Sequence, residues 1–213
     1  LDRVKTEFVS TVSHELRTPL TAITGALGLM VSGALCELPE KAKLILDIAY
    51  KNAQRLKLLI NDLLDMDKLL EGKLEFHCEP QTLMPLIEKG VAENQSYADQ
   101  FNVRFIVMPA SVTSRVNIED IRFLQILANF LSNAAKFSKP DTDVLITVTQ
   151  ADGYVRISVS DTGVGLSEES QGHIFEKFYQ ADSSDTRKKG GTGLGLAITK
   201  EIVERMGGRV GFV

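Results

Sequence analysis

The sequence predicts a long helical hairpin that pairs with a second copy into a four-helix bundle, followed by an α+β region of helices packed on a sheet. Three observations predict it. Apolar residues recur at spacings of three and four from Val4 to about Leu70, with one short break before Pro39. Beyond Gly72 the pattern changes to shorter runs of helix and strand. Among those runs, Asp152-Gly153 stands between two stretches of alternating apolar and polar residues, a strong hairpin signal. A chain of 213 residues corresponds to one large domain or two small ones at roughly 150 residues per domain. With 44% of its residues apolar, each can bury a core.

In the first helix, Val4, Phe8, Val12, Leu16, Leu20, Ile23, Leu27 and Val31 form one apolar stripe that runs out near Ala34. Pro19 removes a backbone donor inside it and is expected to kink it. Ala34 to Pro39 reads as a turn, with Pro39 suited to open the next helix. That second helix fits a heptad register, with Ala42, Ala49, Leu56, Leu63 and Leu70 at one core position and Ile45, Asn52, Leu59 and Met66 at the other. Gly72 ends it. Two antiparallel helices have a long apolar seam and no third element to cover it, so a homodimer is the expected solution. The hairpin is assigned to residues 1–71 and the α+β region to 72–213.

In the second region, strands at Lys73 to Cys78 and Val103 to Val107 are expected around a helix from about Leu83 to Gln100. A helix from about Glu119 to Phe137 follows, then strands at Val144 to Thr149 and Tyr154 to Ser160. A helix from about Leu194 to Met206 and the start of a final strand complete the chain. The sheet is expected to be antiparallel or mixed.

Composition excludes several classes. No stretch approaches the roughly 18 apolar residues of a membrane span, so no membrane contact is expected of this segment. Cys36 and Cys78 make no CxxC and have no His cluster nearby, which argues against zinc and fits a reducing, cytoplasmic setting. A slightly acidic balance, net charge −4, gives no electrostatic footprint for nucleic acid. The chain opens at Leu1 and stops abruptly at Val213, as expected of a piece of a longer protein.

Four segments carry chemistry. In Ser13-His14-Glu15-Leu16-Arg17-Thr18-Pro19, His14 lies about 200° of helical rotation from both Val12 and Leu16, so it points off the apolar stripe. An exposed imidazole beside a carboxylate suits a nucleophile, because the carboxylate can hold one ring nitrogen protonated and leave the other free. The bland alternative is a surface histidine. In the helix from Glu119, residues Arg122, Gln125, Asn129, Asn133 and Lys136 form one polar stripe opposite Phe123, Leu124, Leu127, Leu131 and Ala134. Carboxamide oxygens suit a hard cation such as Mg²⁺, and a lysine neutralises phosphate charge, although an ordinary solvated face is the competing reading.

Next, Asp161-Thr162-Gly163-Val164-Gly165 sets a carboxylate at a strand end before glycines that permit close approach, an arrangement suited to an adenine amino group or, more simply, to a turn. Gly191-Thr192-Gly193-Leu194-Gly195 then opens a helix and suits phosphates, although it is neither a P-loop nor a GxGxxG fingerprint. Between these loops, Phe175, Phe178 and Tyr179 precede a basic run in which Arg187, Lys188 or Lys189 could reach phosphates.

In this order and spacing, the segments resemble the catalytic core of the sensor histidine kinases of two-component systems. Phe8 to Leu20 looks like that family's H box, Asn129 to Phe137 its N box, Asp161 to Leu166 its first G box, Ile174 to Tyr179 its F box and Gly191 to Ala197 its second G box. The resemblance implies a dimeric four-helix bundle followed by a two-layer α+β sandwich of the histidine kinase and chaperone ATPase type. It implies ATP and Mg²⁺ as cofactors and a response-regulator receiver domain as partner. By the same resemblance His14 is the phosphoacceptor, Glu15 its neighbouring acid, and Thr18 the residue that positions water in a phosphatase reaction. Asn129 would ligate Mg²⁺, Asn133 and Lys136 would contact phosphates, and Phe137 would pack near adenine. Asp161 would accept from the adenine amine, Gly163 and Gly165 would shape the pocket, and the loop from Gly191 through Thr192, Gly193 and Leu194 to Gly195 would close on phosphates, with Phe178 beside it.

Two features depart from the pattern. Gln180 stands where some members have an arginine, which shifts that task to Arg187 or the neighbouring lysines, and the family's sheet would gain further strands past Val213. A chaperone-type ATPase is the competing enzyme reading, but it needs a carboxylate in the helix that carries amides at Asn129 and Asn133, and it leaves the His14 hairpin unexplained. A catalytically silent dimeric ATP-binding scaffold is the non-enzymatic one.

Overall fold

The computed structural model describes residues 2–33, 38–70, 74–110, 115–151, 153–180 and 192–213. The chain divides into two compact units, Leu1–Leu74 and Glu75–Val213.

The first unit is a hairpin of α1 (Asp2–Val31) and α2 (Glu40–Leu70). α1 continues through Pro19, and just beyond it the hydroxyls of Thr21 and Thr24 donate to the carbonyls of Arg17 (2.9 Å) and Leu20 (2.7 Å). Of the expected connection, residues 34–37 lie outside the described residues, as does Gly72. The Pro39 carbonyl accepts from the N–H groups of Ala42 and Lys43 and so starts α2. Leu20, Ala53, Ile60 and Leu64 form the buried seam, with Leu27 against them. A two-helix contact covers only one strip of each helix. A second apolar strip therefore faces outward: Leu16, Ile23, Leu44, Ile45, Ile48 and Leu56 are all about half exposed or more. Across the seam, Arg17 donates through Nε (3.2 Å) and Nη2 (3.0 Å) to the Asn61 Oδ1.

The second unit runs β1 (Glu79–Thr82), α3 (Leu83–Asp99), β2 (Val103–Val107), β3 (Arg115–Ile118), α4 (Asp120–Phe137), β4 (Thr142–Ala151), β5 (Tyr154–Ser160), α5 (Glu168–Gln171) and α6 (Gly195–Arg205). β2, β4 and β5 make a mixed sheet, with β2 parallel to β4 (Phe105 opposite Val144) and β4 antiparallel to β5 (Val148 opposite Ile157). The parallel pairing follows from α4 crossing over the sheet between the two strands, while Gly153, at φ +77°, turns the β4–β5 hairpin. Two expectations need correction. Of the strand expected at Lys73 to Cys78, residues 74–78 form no strand and Lys73 lies outside the described residues; the first strand is Glu79–Thr82, which pairs with β3, a four-residue strand too short to read in the sequence. The final strand is likewise unrealised. The last residues from Gly208 form no ladder with a described strand, and alternation without a paired neighbour makes no strand. Phe212 instead stacks on Phe175, ring centroids 6.5 Å apart.

Inward residues of the sheet, Val103, Phe105, Val144, Ile146 and Val148, meet Leu83 and Ile87 of α3 and Phe123, Leu127, Leu131 and Ala135 of α4 in one core. Gly90 lets α3 approach α4, since a methyl group there would stand 2.6 Å from Leu127 Cδ2. Tyr97 lies on α3 with its ring 5.2 Å from that of Phe101, and burial raises its phenol pKa above the ordinary value. No helix among the described residues is long and apolar enough to cross a membrane.

Candidate functional site

The polar stripe of α4 follows from its sequence period. Phe123, Ile126, Leu127, Leu131, Ala134 and Ala135 are buried, which leaves Arg122, Gln125, Asn129, Asn133 and Lys136 half-buried along the opposite side. Arg122 Nη1 donates to Gln125 Oε1 at 2.8 Å.

Asn129 is the most constrained of the stripe. Its Nδ2 donates to the Gly195 carbonyl and to Thr199 Oγ1, both at 3.1 Å. The Gly195 oxygen can only accept, so the amide nitrogen must face it, and Oδ1 lies beside Gly195, 3.5 Å from where a Cβ there would stand. That oxygen accepts no hydrogen bond among the described residues. No group of three or more His, Cys, Asp or Glu suited to a metal occurs among the described residues. One oriented amide oxygen is nonetheless the kind of donor Mg²⁺ accepts, since that ion keeps several waters and takes further oxygens from phosphates. The residues fit it on those terms.

Around the C-terminal end of α4 the other segments gather. Lys136 Nζ lies 4.7 Å from the centroid of the Phe137 ring. Gly163 packs on the Phe137 carbonyl so closely that a methyl group would stand 2.7 Å from it. Its N–H donates to Asp161 Oδ1 at 2.7 Å, which fixes the carboxylate of this exposed residue just past the end of β5. Gly165 holds φ +70° in open space.

The glycine loop is held from two sides. The Gly193 carbonyl accepts from Phe178 N–H at 2.9 Å, and Gly193, at φ +69°, leaves no room for a side chain against the backbone of Phe178 and Tyr179. Thr192 Oγ1 accepts from Leu194 N–H at 3.0 Å. The Leu194 side chain is in the core (3% exposed), so only its backbone can face a ligand. Phe178 is exposed and also has positive φ, +63°.

The structure thus joins Asn129 to Gly195, Phe137 to Gly163 with Asp161, and Phe178 to Gly193. Asn133 lies on the same polar stripe. Arg187, Lys188, Lys189 and Gly191 lie outside the described residues. In the other unit, His14 and Glu15 belong to α1 and Thr18, one turn on, is exposed; the side chains of His14 and Glu15 are outside what is described. Two contributors escaped sequence reasoning. Thr199 is detectable as the residue four after Gly195, hence on the same helical face. The short helix α5 is detectable from Ser167 followed by Glu168 and Glu169, a cap with acids in the first turn.

A helical hairpin followed by an α+β unit in which amides, a carboxylate turn and a glycine-opened helix converge defines a nucleotide-binding module coupled to a helical stalk. Comparison with known proteins gives the family. Residues 4–72 match the His Kinase A (phospho-acceptor) domain, and residues 118–212 match the Histidine kinase-, DNA gyrase B-, and HSP90-like ATPase. The chain is 36% identical over 209 residues to the circadian input-output histidine kinase CikA of Synechococcus elongatus, covering 97% of this chain and 28% of that protein. It is 34% identical over 212 residues to the sensor protein SrrB of Staphylococcus aureus, covering 99% of this chain and 36% of that protein. Among solved structures, full-length ShkA in complex with AMPPNP superposes with a TM-score of 0.74 at 30% identity, over 94% of this chain and 41% of that one. The chain belongs to the sensor histidine kinase family and carries its catalytic core. It spans less than half the length of these relatives, 28% to 41%.

Proposed function

We propose that this chain transfers the γ-phosphoryl group of ATP to His14 and from there to an aspartate of a response-regulator receiver domain. Residues 1–71 act as the dimerisation and phosphoacceptor hairpin, and residues 72–213 as the ATP-binding domain. The observation that carries this reading is the fixed amide of Asn129, aimed by Gly195 and Thr199, in a chain whose other unit matches the phosphoacceptor domain.

In this reading Asn129 Oδ1 would hold Mg²⁺, which when bound would neutralise phosphate charge. Asn133 and Lys136 contact phosphates, and Arg187 or Lys188 adds charge from the segment before Gly191. The loop through Thr192, Gly193, Leu194 and Gly195 presents backbone amides to the phosphates at the start of α6. Asp161, held by the Gly163 N–H, accepts from the adenine amine, while Gly163 and Gly165 shape the pocket, Phe137 packs near the base and Phe178 stands beside the glycine loop. A neutral nitrogen of His14 attacks the γ-phosphorus. The N–P bond forms as the bond to the β–γ bridging oxygen breaks, and ADP leaves with the electron pair. Glu15 accepts or holds the ring proton, and catalysis is mainly positioning and charge neutralisation. Thr18 orients water when the receiver is dephosphorylated. The exposed strip of Leu16, Ile23, Ile45, Ile48 and Leu56 supports pairing of two hairpins into a bundle. The catalytic core works in the cytoplasm.

The test is incubation with γ-labelled ATP and Mg²⁺. Wild type is expected to take up acid-labile, base-stable label, and His14→Gln none. Label that survives in His14→Gln, or that resists acid, overturns the assignment.

A further inference from the structure

The described residues after α5 meet the glycine loop through the backbone of Phe178 and Tyr179 and are tied down from behind by side chains. Ser170 is 3% exposed. Its Oγ accepts from the Tyr179 hydroxyl at 3.1 Å and from Ser167 Oγ at 2.8 Å. Ser167 in turn caps α5, accepting the Ser170 N–H at 3.2 Å. The His173 ring stands 5.6 Å from that of Tyr179 and is itself fixed by Glu176, whose Oε1 lies 2.9 Å from Nδ1. The Tyr179 side chain therefore has an anchored hydroxyl and a fixed neighbour along its ring.

The residue before it needs such support. Phe178 sits at φ +63°, a conformation that an aromatic residue adopts only where its surroundings dictate it. Its N–H is the donor that holds the Gly193 carbonyl, and a methyl group on Gly193 would stand 2.7 Å from the Phe178 carbonyl carbon and 2.9 Å from the Tyr179 oxygen. Two residues on, the Gly195 carbonyl receives the amide of Asn129. One continuous path of hydrogen bonds and backbone contact thus runs from Ser167 through Ser170, Tyr179, Phe178 and Gly193 to Gly195 and Asn129.

We infer that Tyr179 is a positioning residue of the nucleotide site: through the buried hydroxyl of Ser170 it sets where Phe178 holds Gly193, and so where the glycine loop meets the phosphates. Its hydroxyl points back to α5 and has no need to touch the nucleotide. The inference rests on reading Gly193 and Gly195 as phosphate-facing residues. It distinguishes Tyr179 from a merely structural tyrosine, because its loss should be felt by phosphates and not by the base.

The test is equilibrium binding of AMPPNP and of adenosine, both with Mg²⁺, to the full chain and to Tyr179→Phe, Ser170→Ala, their double variant and Gly193→Ala, with a melting curve for each. Removing one neutral hydrogen bond is expected to weaken AMPPNP about two- to tenfold. Adenosine affinity should stay unchanged. Ser170→Ala should give the same loss, and the double variant no more than either single one, as for two partners in one bond. Equal losses for AMPPNP and adenosine, or none in Tyr179→Phe while Gly193→Ala loses AMPPNP, overturn the inference. Unimpaired AMPPNP binding by Gly193→Ala overturns the phosphate-loop reading itself, and the inference with it. Should Gly193→Ala not fold, Asn129→Ala replaces it as the test of that reading.

Discussion

Replacing Gly163 by alanine sets one added methyl group against a rigid neighbour. The new Cβ would stand 2.7 Å from the Phe137 carbonyl oxygen and 2.7 Å from Asp161 Oδ1, whereas an unstrained contact sits at about 3.5–4.0 Å. Phe137 ends α4, and the turn just before it is locked by Ala134 and Ala135, 4% and 0% exposed. The helix cannot give, so the turn carrying Asp161 must move. Overpacking of this kind costs about 1–3 kcal/mol, which lowers the melting temperature of a unit this size by several degrees. Movement of the turn also opens the 2.7 Å bond from Gly163 N–H to Asp161 and displaces the carboxylate proposed to read adenine. Each 1.4 kcal/mol that falls on the bound state weakens nucleotide affinity about tenfold. The assay pairs a melting curve with titration of a fluorescent ATP analogue. Gly165→Ala is the comparison: Gly165 has φ +70° and nothing within 4 Å, so its cost is the left-handed backbone alone, about 1–2 kcal/mol. If Gly163→Ala melts and binds as wild type, the close packing of the turn on α4 is not what positions Asp161.

Three further outcomes are expected. Asn129→Asp retains an oxygen for Mg²⁺ and adds charge, but it turns a carboxylate toward the Gly195 carbonyl and removes both donated hydrogens; Mg²⁺-dependent nucleotide affinity should fall about tenfold, and tighter binding would show that charge outweighs orientation. Leu131→Ala, at a position with 0% exposure in the core of the second unit, should destabilise it by about 2–5 kcal/mol in urea titration, and a cost below about 1 kcal/mol would contradict the packing described. Burial holds the Tyr97 phenol above its ordinary value of 10.0, so the unfolded chain ionises first as pH rises. Stability is therefore fully present below about pH 10 and declines above it, and urea titrations at neutral and strongly alkaline pH should show a smaller decline for Tyr97→Phe than for wild type.

Much of the fold was legible in the sequence because long elements average over many residues. The hairpin helices, α3, α4, α6, β2 and β5 fall within a few residues of the expected bounds, since each has a period that repeats several times. β1 and β3 were not legible, because four-residue strands carry barely two repeats and exist only by pairing with each other. The polar stripe of α4 was legible from spacing alone. Its connection to α6 was not, because Asn129 and Thr199 are separated by 70 residues and meet only through packing.

The sequence by itself determined that a histidine-bearing helical hairpin precedes a region with amides, a carboxylate turn and a glycine-opened helix in fixed order. Spacing along a helix is a local property, and residue chemistry is carried in the letters. Only the tertiary structure decided which way the Asn129 amide faces, why Gly163 has no room for a side chain, and what keeps Phe178 in a left-handed conformation against Gly193. Those are distances between segments far apart in the chain, and they are set by how the core closes.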